Sequence, residues 1–369
     1  MPAYQPSPHA TADLYLIGGT WDLIFWNAVA LAHNTPLSGD CVVFSRAFSA
    51  AQRAQIEHAA RALGLNPLPY AEPEDILALV RQRASGNLFI IHLSDPFTQR
   101  ICKLHPDARL VIGFEGLSGY FPSPRVRPLL EKPYSYIHYS ALPVPGWVKP
   151  EHLSHAEAGP LRQSIAATRP RLGLDGQPLQ IGDNAILVLG QHFHRHNVLS
   201  WEQEHDLYGE FIAAKVAEGY TVLWKEHPRN DQPFGPKYAE RHPGRFRILE
   251  VDSLYSIELW GEELSRLKLI AGVCSNSLFN LRDIYGLPAT SILTPRSLGE
   301  FNFNKLSKSS LINMIGIACL NHGGNLPIEM FIAAFQKSAV SDTRKSNADE
   351  ESPSGFFARS LARLKRFGR

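Results

Sequence analysis

Cysteine is scarce in this chain: four residues among 369, at Cys41, Cys102, Cys274 and Cys319, with no C-x-x-C pair. That spacing excludes a disulfide framework and the usual zinc pattern, and it suits a reducing compartment. Long apolar runs are missing too. No segment approaches the roughly 20 apolar residues needed to span a bilayer. The opening MPAYQPSPHATADLYLIGG has no basic stretch followed by an apolar one, so no signal peptide is expected and the expected location is cytoplasmic. Net charge is nearly absent, +2 overall with 20% charged residues, which leaves no field that would call for nucleic acid. There is no D-x-D triplet; the nearest imitation is Glu202-Gln203-Glu204, which reads as the solvated face of a helix. No internal sequence repeat is visible.

What is present is an alternation of apolar runs and helical patterns, in a chain long enough for two domains. DLYLIGG reads as a buried strand ending in glycines, and TWDLIFWNAVALAHN follows with helical periodicity. CVVFS is a second strand, followed by the helix SAAQRAQIEHAARALG, for which Gly64 is the stop. NLFIIHLS, ARLVIGFEG and YSYIHYS continue the strands. From Ala141 to Gln180 the texture turns rich in proline and glycine and weakly periodic, as an inter-domain connection would. The alternation then resumes with NAILVLGQ, a helix opened by Ser200, YTVLWKEHP, RFRILEV, LKLIAGVCSNS, the helix LFNLRDIYG, and ATSILT. Strand, helix, strand is the grammar of parallel sheets covered by helices. The expected architecture is α/β, with two Rossmann-like domains facing a central cleft, residues 1–165 and 166–335. Residues 336–369 form a tether and tail.

That tail carries Phe357, Leu361, Leu364 and Gly368 on one helical face, and Arg359, Arg363, Lys365 and Arg366 around the rest. Phe356–Arg369 therefore reads as a basic amphipathic helix suited to an anionic membrane surface, or else as a tail docked on its own body.

In open α/β sheets ligands bind beyond the carboxyl ends of the strands, so reactive residues at strand ends matter most. VIGFEG places Glu115 there, before Gly116, which allows close approach to the backbone. LWKEHP places His227 at a strand end, with Lys225 on the same side of the strand. A histidine there can give a proton or a hydrogen bond to a phosphoryl oxygen; the plainer reading is a surface histidine before a turn proline. That plainer reading suits His105-Pro106 and His242-Pro243, which do not follow strands. IAGVCSNS delivers Ser275, Asn276 and Ser277 to a helix start, where they fit either a phosphate site or simple capping. LGQHFHRHN follows the first strand of the second half, which makes Gly190 and Gln191 candidates for nucleoside contacts. Its His192, His194 and His196 imitate a metal cluster, but with no carboxylate evident beside them no metal is expected.

An acid in one half, then His-Pro and Ser-x-Ser in the other, resembles the bacterial sialyltransferases, most closely the family that includes the capsular polysialyltransferases. Those enzymes carry D/E-D/E-G, His-Pro and Ser-Ser/Thr motifs; here the segments are FEG, EHP and CSNS. YLIGGTWDLIFWNAVA extends the resemblance toward the start and marks Gly19 and Thr20 as weaker substrate-cleft candidates. The chain departs from the pattern at Phe114, where the first acid would stand, and at Asn276 after Ser275. The resemblance implies the GT-B fold and a metal-independent, inverting sialyl transfer that needs no cofactor, from CMP-sialic acid as donor substrate. It implies Glu115 as general base, His227 and Lys225 at the departing CMP phosphate, and Ser275, Asn276 and Ser277 holding that phosphate. The implied partners are a glycan or glycolipid acceptor, the inner face of a membrane and a glycan assembly complex. Transfer from another CMP-sugar such as CMP-Kdo, or a non-catalytic nucleotide-binding subunit, are the alternatives that the two departures keep open.

Overall fold

The computed structural model describes residues 12–44, 48–69, 73–82, 85–93, 95–114, 126–140, 144–174, 179–306 and 308–320. Two compact units emerge. One takes the chain up to Pro178 with Leu254–Glu262 and Asp283–Tyr285; the other takes Leu179–Ser253, Glu263–Arg282 and the chain from Gly286.

In the first unit the order is β1 (Ala12–Ile17), α1 (Thr20–Ala32), β2 (Gly39–Val43), α2 (Ala50–Leu63), β3 (Leu65–Pro67) and α3 (Pro73–Arg81). Then come β4 (Ser85–Ile90), α4 (Pro96–Leu104), β5 (Arg109–Gly113), β6 (Tyr134–His138), β7 (Leu153–His155) and α5 (Ala158–Arg171). The strands pair in parallel in the order β3-β2-β1-β4-β5-β6-β7. Gly64 ends α2 in the left-handed region at φ 101°, as its position in the sequence predicts.

The stretch expected to be a connection holds α5. It buries Leu161, Ser164, Ile165 and Thr168, one helical face, and packs on α1. Asn27 Nδ2 of α1 donates to Thr168 Oγ1 at 2.7 Å, and Arg171 Nη1 donates to Asn27 Oδ1 at 2.7 Å. These contacts carry the first unit past residue 165, where the sequence texture suggested a boundary.

The second unit contains β8 (Ala185–Leu189), α6 (Trp201–Ala217), β9 (Thr221–Lys225), α7 (Gly235–Arg241) and β10 (Phe246–Ile248). After α8 (Gly261–Leu264), which begins in the first unit, come β11 (Leu269–Gly272), α9 (Asn276–Tyr285), β12 (Ala289–Ser291), α10 (Pro295–Leu298) and α11 (Lys308–Leu320). Its parallel sheet runs β10-β9-β8-β11-β12. Every residue of β8 is buried, as a central strand covered on both faces requires. Ser200 opens α6 with a capping box: its hydroxyl accepts the Gln203 N–H at 3.1 Å, and Gln203 Oε1 accepts the Ser200 N–H at 2.7 Å. Trp224, fully buried on β9, packs edge-on against Tyr208 and Tyr238 and centres an aromatic core. No helix among the described residues is long and apolar enough to cross a membrane. The tail from 336 onward lies outside the described residues.

Candidate active site

In the second sheet the chain leaves β8 toward β9 on one side and later returns as β11 on the other. That reversal is the point where such sheets bind ligands. Three loops meet there, following β8, β9 and β11.

The loop after β9 is built by Glu226, which the sequence reading left without a role. Its carboxylate accepts from Trp224 Nε1 at 2.8 Å, Asn230 Nδ2 at 2.8 Å, and the N–H groups of Phe234 and Gly235 at 3.2 and 3.3 Å. The fixed turn presents His227, whose Nδ1 accepts the Arg229 N–H at 3.1 Å. The ring proton of neutral His227 is therefore on Nε2, making that nitrogen a donor. Burial, then the neighbouring His192, hold this imidazole well below the ordinary histidine range. Lys225 is buried and its ammonium donates to the Ser253 carbonyl at 3.0 Å. It adds positive potential at His227 while its own hydrogen bond goes to backbone.

The loop after β8 brings His192 onto His227, the two rings stacked at 3.9 Å with 27° between their planes. His196 Nε2 lies 3.2 Å from His192 Nε2. Burial, followed by His196, lowers His192 to about 3. Its Nδ1 is buried without a hydrogen-bond partner among the described residues. Arg229 is also largely withdrawn from water, and burial, then Arg195, disfavours its charge. Two neutral imidazoles and a partly desolvated guanidinium form a cradle at this strand end. Sequence reasoning noticed the histidine-rich loop but not this stack, because the β8–β9 adjacency that creates it cannot be read from spacing.

Glu204 anchors the short helical turn Phe193–His196. It is fully buried, accepting the His194 N–H at 2.9 Å and lying 2.6 Å from His194 Nδ1, which corrects its expected place on a solvated face. Burial pushes its carboxyl up, an effect opposed by the bonds from His194. A carboxylate thus does stand beside the histidine run, though it serves one ring only. Among the described residues no group of three His, Cys, Asp or Glu is arranged to hold a metal ion.

Gly190 is required by packing: a Cβ there would sit 2.7 Å from Trp224 Cζ2. Gln191 Nε2 donates to the Gly190 carbonyl at 3.0 Å, and Cys274 Sγ lies 3.6 Å from Gln191 Oε1, joining the β8 and β11 loops. Burial pushes the Cys274 thiol up to about 12, so it is a packing residue rather than a nucleophile. Ser275 sits at the N-cap of α9 with extended backbone, φ −68° and ψ 131°, yet its hydroxyl makes no capping bond. The Leu278 N–H is taken by the Ser275 carbonyl at 3.1 Å, and the positive end of α9 at this turn favours an anion. Asn276 Oδ1 is engaged by Asn313 Nδ2 at 2.6 Å, which fixes the helix start against α11; Ser277 is half-buried.

In the first unit, Thr20 is buried at the start of α1. It is 6% exposed, and its hydroxyl donates to the Leu254 carbonyl at 2.7 Å. A Cβ on Gly19 would meet nothing within 4 Å, so open space adjoins it. Phe114 is a core residue, 1% exposed and edge-on to His138 and Tyr139, which accounts for an apolar side chain where the motif has an acid. Glu115 and Gly116 lie outside the described residues, just past the end of β5.

Comparison with solved structures gives the same architecture. The UDP-GlcNAc 2-epimerase from Neisseria meningitidis bound to UDP-GlcNAc superposes with TM-score 0.50 at 11% identity, over 96% of this chain and 98% of that one. The UDP-GlcNAc 2-epimerase from Methanocaldococcus jannaschii matches at 0.49 and 11%, over 96% and 99%. A UDP-glucosyltransferase from Polygonum tinctorium matches at 0.45 and 14%, over 98% and 100%. At such identities the first of these speaks for the fold alone, paired Rossmann-like units of the GT-B class. No curated protein matches the chain in sequence. The model of one family, Alpha-2,8-polysialyltransferase, matches residues 92–294, more than half of the chain and the stretch that carries His227 and Ser275. The chain therefore belongs to the alpha-2,8-polysialyltransferase family and is a sialyltransferase.

Proposed function

We propose that this sialyltransferase moves sialic acid from CMP-sialic acid to a glycan hydroxyl, with inversion and without a metal ion or other cofactor. The observation that carries this reading is the cradle at the second sheet's switch point: stacked His192 and His227, Arg229, and the uncapped Ser275 at the start of α9.

The reaction breaks the bond between the anomeric carbon and a phosphate oxygen, so negative charge grows on CMP as it leaves. Groups already aimed at such charge accelerate reaction without reorganising, a single donor being worth about 10²–10³ in rate. Nε2–H of His227 donates to the leaving phosphate. Ser275 and the α9 N–H groups hold its other oxygens, with Ser277 and Asn276 alongside. Lys225 and Arg229 supply positive potential, and Gln191 with the Gly190 backbone borders the nucleoside. Glu115 takes the proton of the attacking hydroxyl. The acceptor is a capsular-type glycan or a glycolipid. Phe356–Arg369 holds the enzyme at the inner face of the membrane that carries this acceptor, within a glycan assembly complex.

Two variants test these roles together. Glu115→Gln should lose transfer by at least about 10²-fold, the range of general base catalysis, while CMP affinity stays unchanged. His227→Ala should lower both turnover and CMP affinity. Wild-type turnover by Glu115→Gln would remove the base assignment, and unchanged CMP affinity in His227→Ala would remove the phosphate assignment.

A further inference from the structure

His227 opens a tight turn. The Asn230 N–H donates to the His227 carbonyl at 2.9 Å, closing four residues, and Pro228 stands second, where its fixed φ suits such a turn. Inside the turn the Arg229 N–H points back at His227 Nδ1, 3.1 Å away. A backbone N–H only donates, so Nδ1 must accept and the proton of the neutral ring lies on Nε2. Where that proton sits is thus a property of the turn.

Two side chains hold the turn. Asn230 donates through Nδ2 to Glu226 Oε1 at 2.8 Å and accepts the Gln232 N–H on Oδ1 at 3.1 Å. Glu226 Oε2 accepts Trp224 Nε1 at 2.8 Å and the N–H groups of Phe234 and Gly235 at 3.2 and 3.3 Å. Trp224 is fully buried, so Glu226 ties the turn to the core of the second unit. Its two oxygens have separate duties: one faces Asn230, the other faces the core and the chain entering α7.

We propose that Glu226 and Asn230 are positioning residues that keep the His227 proton on Nε2, where it meets the leaving phosphate; this inference rests on the transferase reading above. Both act through His227. With their bond broken the turn loosens, the Arg229 N–H leaves Nδ1, and the neutral ring carries its proton on either nitrogen. A ring in the Nδ1–H form turns a lone pair toward the phosphate oxygen and repels it.

The separate duties prescribe a swap. Asn230→Asp sets two carboxylates face to face, and Glu226→Gln sets two amide donors face to face, because Asn230 Oδ1 is held by Gln232. Together the two changes restore one donor and one acceptor, with the direction reversed. In the full chain with CMP-sialic acid and oligosialic acid, each single variant should lower kcat about tenfold or more, toward the loss of one transition-state donor. The double variant should return to within about threefold of wild type, a coupling that independent sites do not show. Added to His227→Ala, Asn230→Asp should cost less than about twofold more, since its effect runs through the missing ring. Histidine side-chain ¹⁵N NMR reads the proton without turnover, the His227 signals being those lost in His227→Ala. It should show Nε2–H in the wild type, a share of Nδ1–H in each single variant, and Nε2–H again in the double variant. If the wild type transfers but the single variants keep its kcat and its Nε2–H form, the inference fails and the transferase reading stands. A full further loss in the His227→Ala background, or no recovery in the double variant, also overturns the inference. If the wild type transfers nothing, the transferase reading fails and the NMR decides alone: Nε2–H retained in both single variants overturns the inference, and the switch with its reversal upholds the hold on the proton.

Discussion

Replacing His192 with asparagine should make the protein less sensitive to acid, and the size of the effect follows from where the ring sits. In the folded chain burial and His196 hold this imidazole at about 3, against about 6.5 when unfolded. Above pH 6.5 both states are neutral at this ring and stability is unaffected by it. As pH falls below 6.5 the unfolded state takes up a proton that the folded state refuses, so stability is lost progressively down to about pH 3. At pH 5.0 the unfolded ring is about 1.5 pH units below its midpoint, and 1.36 kcal/mol per unit gives about 2 kcal/mol. Partial exposure of the ring screens this to about 1–2 kcal/mol.

Urea unfolding of wild type and His192→Asn at pH 7.5 and 5.0, followed by tryptophan fluorescence, measures it. The variant should lose about 1–2 kcal/mol less than the wild type between the two pH values, whatever its stability at pH 7.5. Equal losses would refute the claim that this ring is held neutral. With it would go the idea that the cradle meets the leaving phosphate with neutral N–H donors.

Two further outcomes follow from the same arrangement. Ser275→Ala should weaken CMP binding while changing stability by less than about 0.5 kcal/mol, because the hydroxyl makes no cap; a working cap would cost about 0.5–2 kcal/mol, and equilibrium unfolding beside CMP titration separates the cases. Deleting residues 356–369 should leave transfer to soluble acceptors intact and reduce binding to vesicles of anionic lipid; sedimentation with vesicles checks it, and unchanged binding would remove the membrane role.

Five strands of the first sheet and all five of the second were legible because buried parallel strands are short apolar runs, as in AILVL of β8, whereas the three-residue β3 and β7 at the first sheet's edges were not. Helix α5 was not. Pro160 near its start and Pro170 near its end gave it the look of a linker, and only packing on α1 shows what its apolar face is for. His227 and Ser275 could be singled out because each follows a strand in local sequence. His192 on His227 depends on strand order, which local pattern does not encode. Glu204 was misread because a charged residue in a helix is usually solvated, and its partner His194 lies outside that helix.

The central claim is that the cradle on the second sheet serves a departing CMP. Purified full-length protein incubated with CMP-sialic acid, CMP-Kdo and a uridine diphosphate sugar, each with and without oligosialic acid, tests it most directly through the nucleotide released. The account predicts CMP release from CMP-sialic acid, stimulated by the acceptor and matched by sialic acid found on the product. Release from one of the other donors alone, or tight CMP binding with no turnover on any of them, would contradict it.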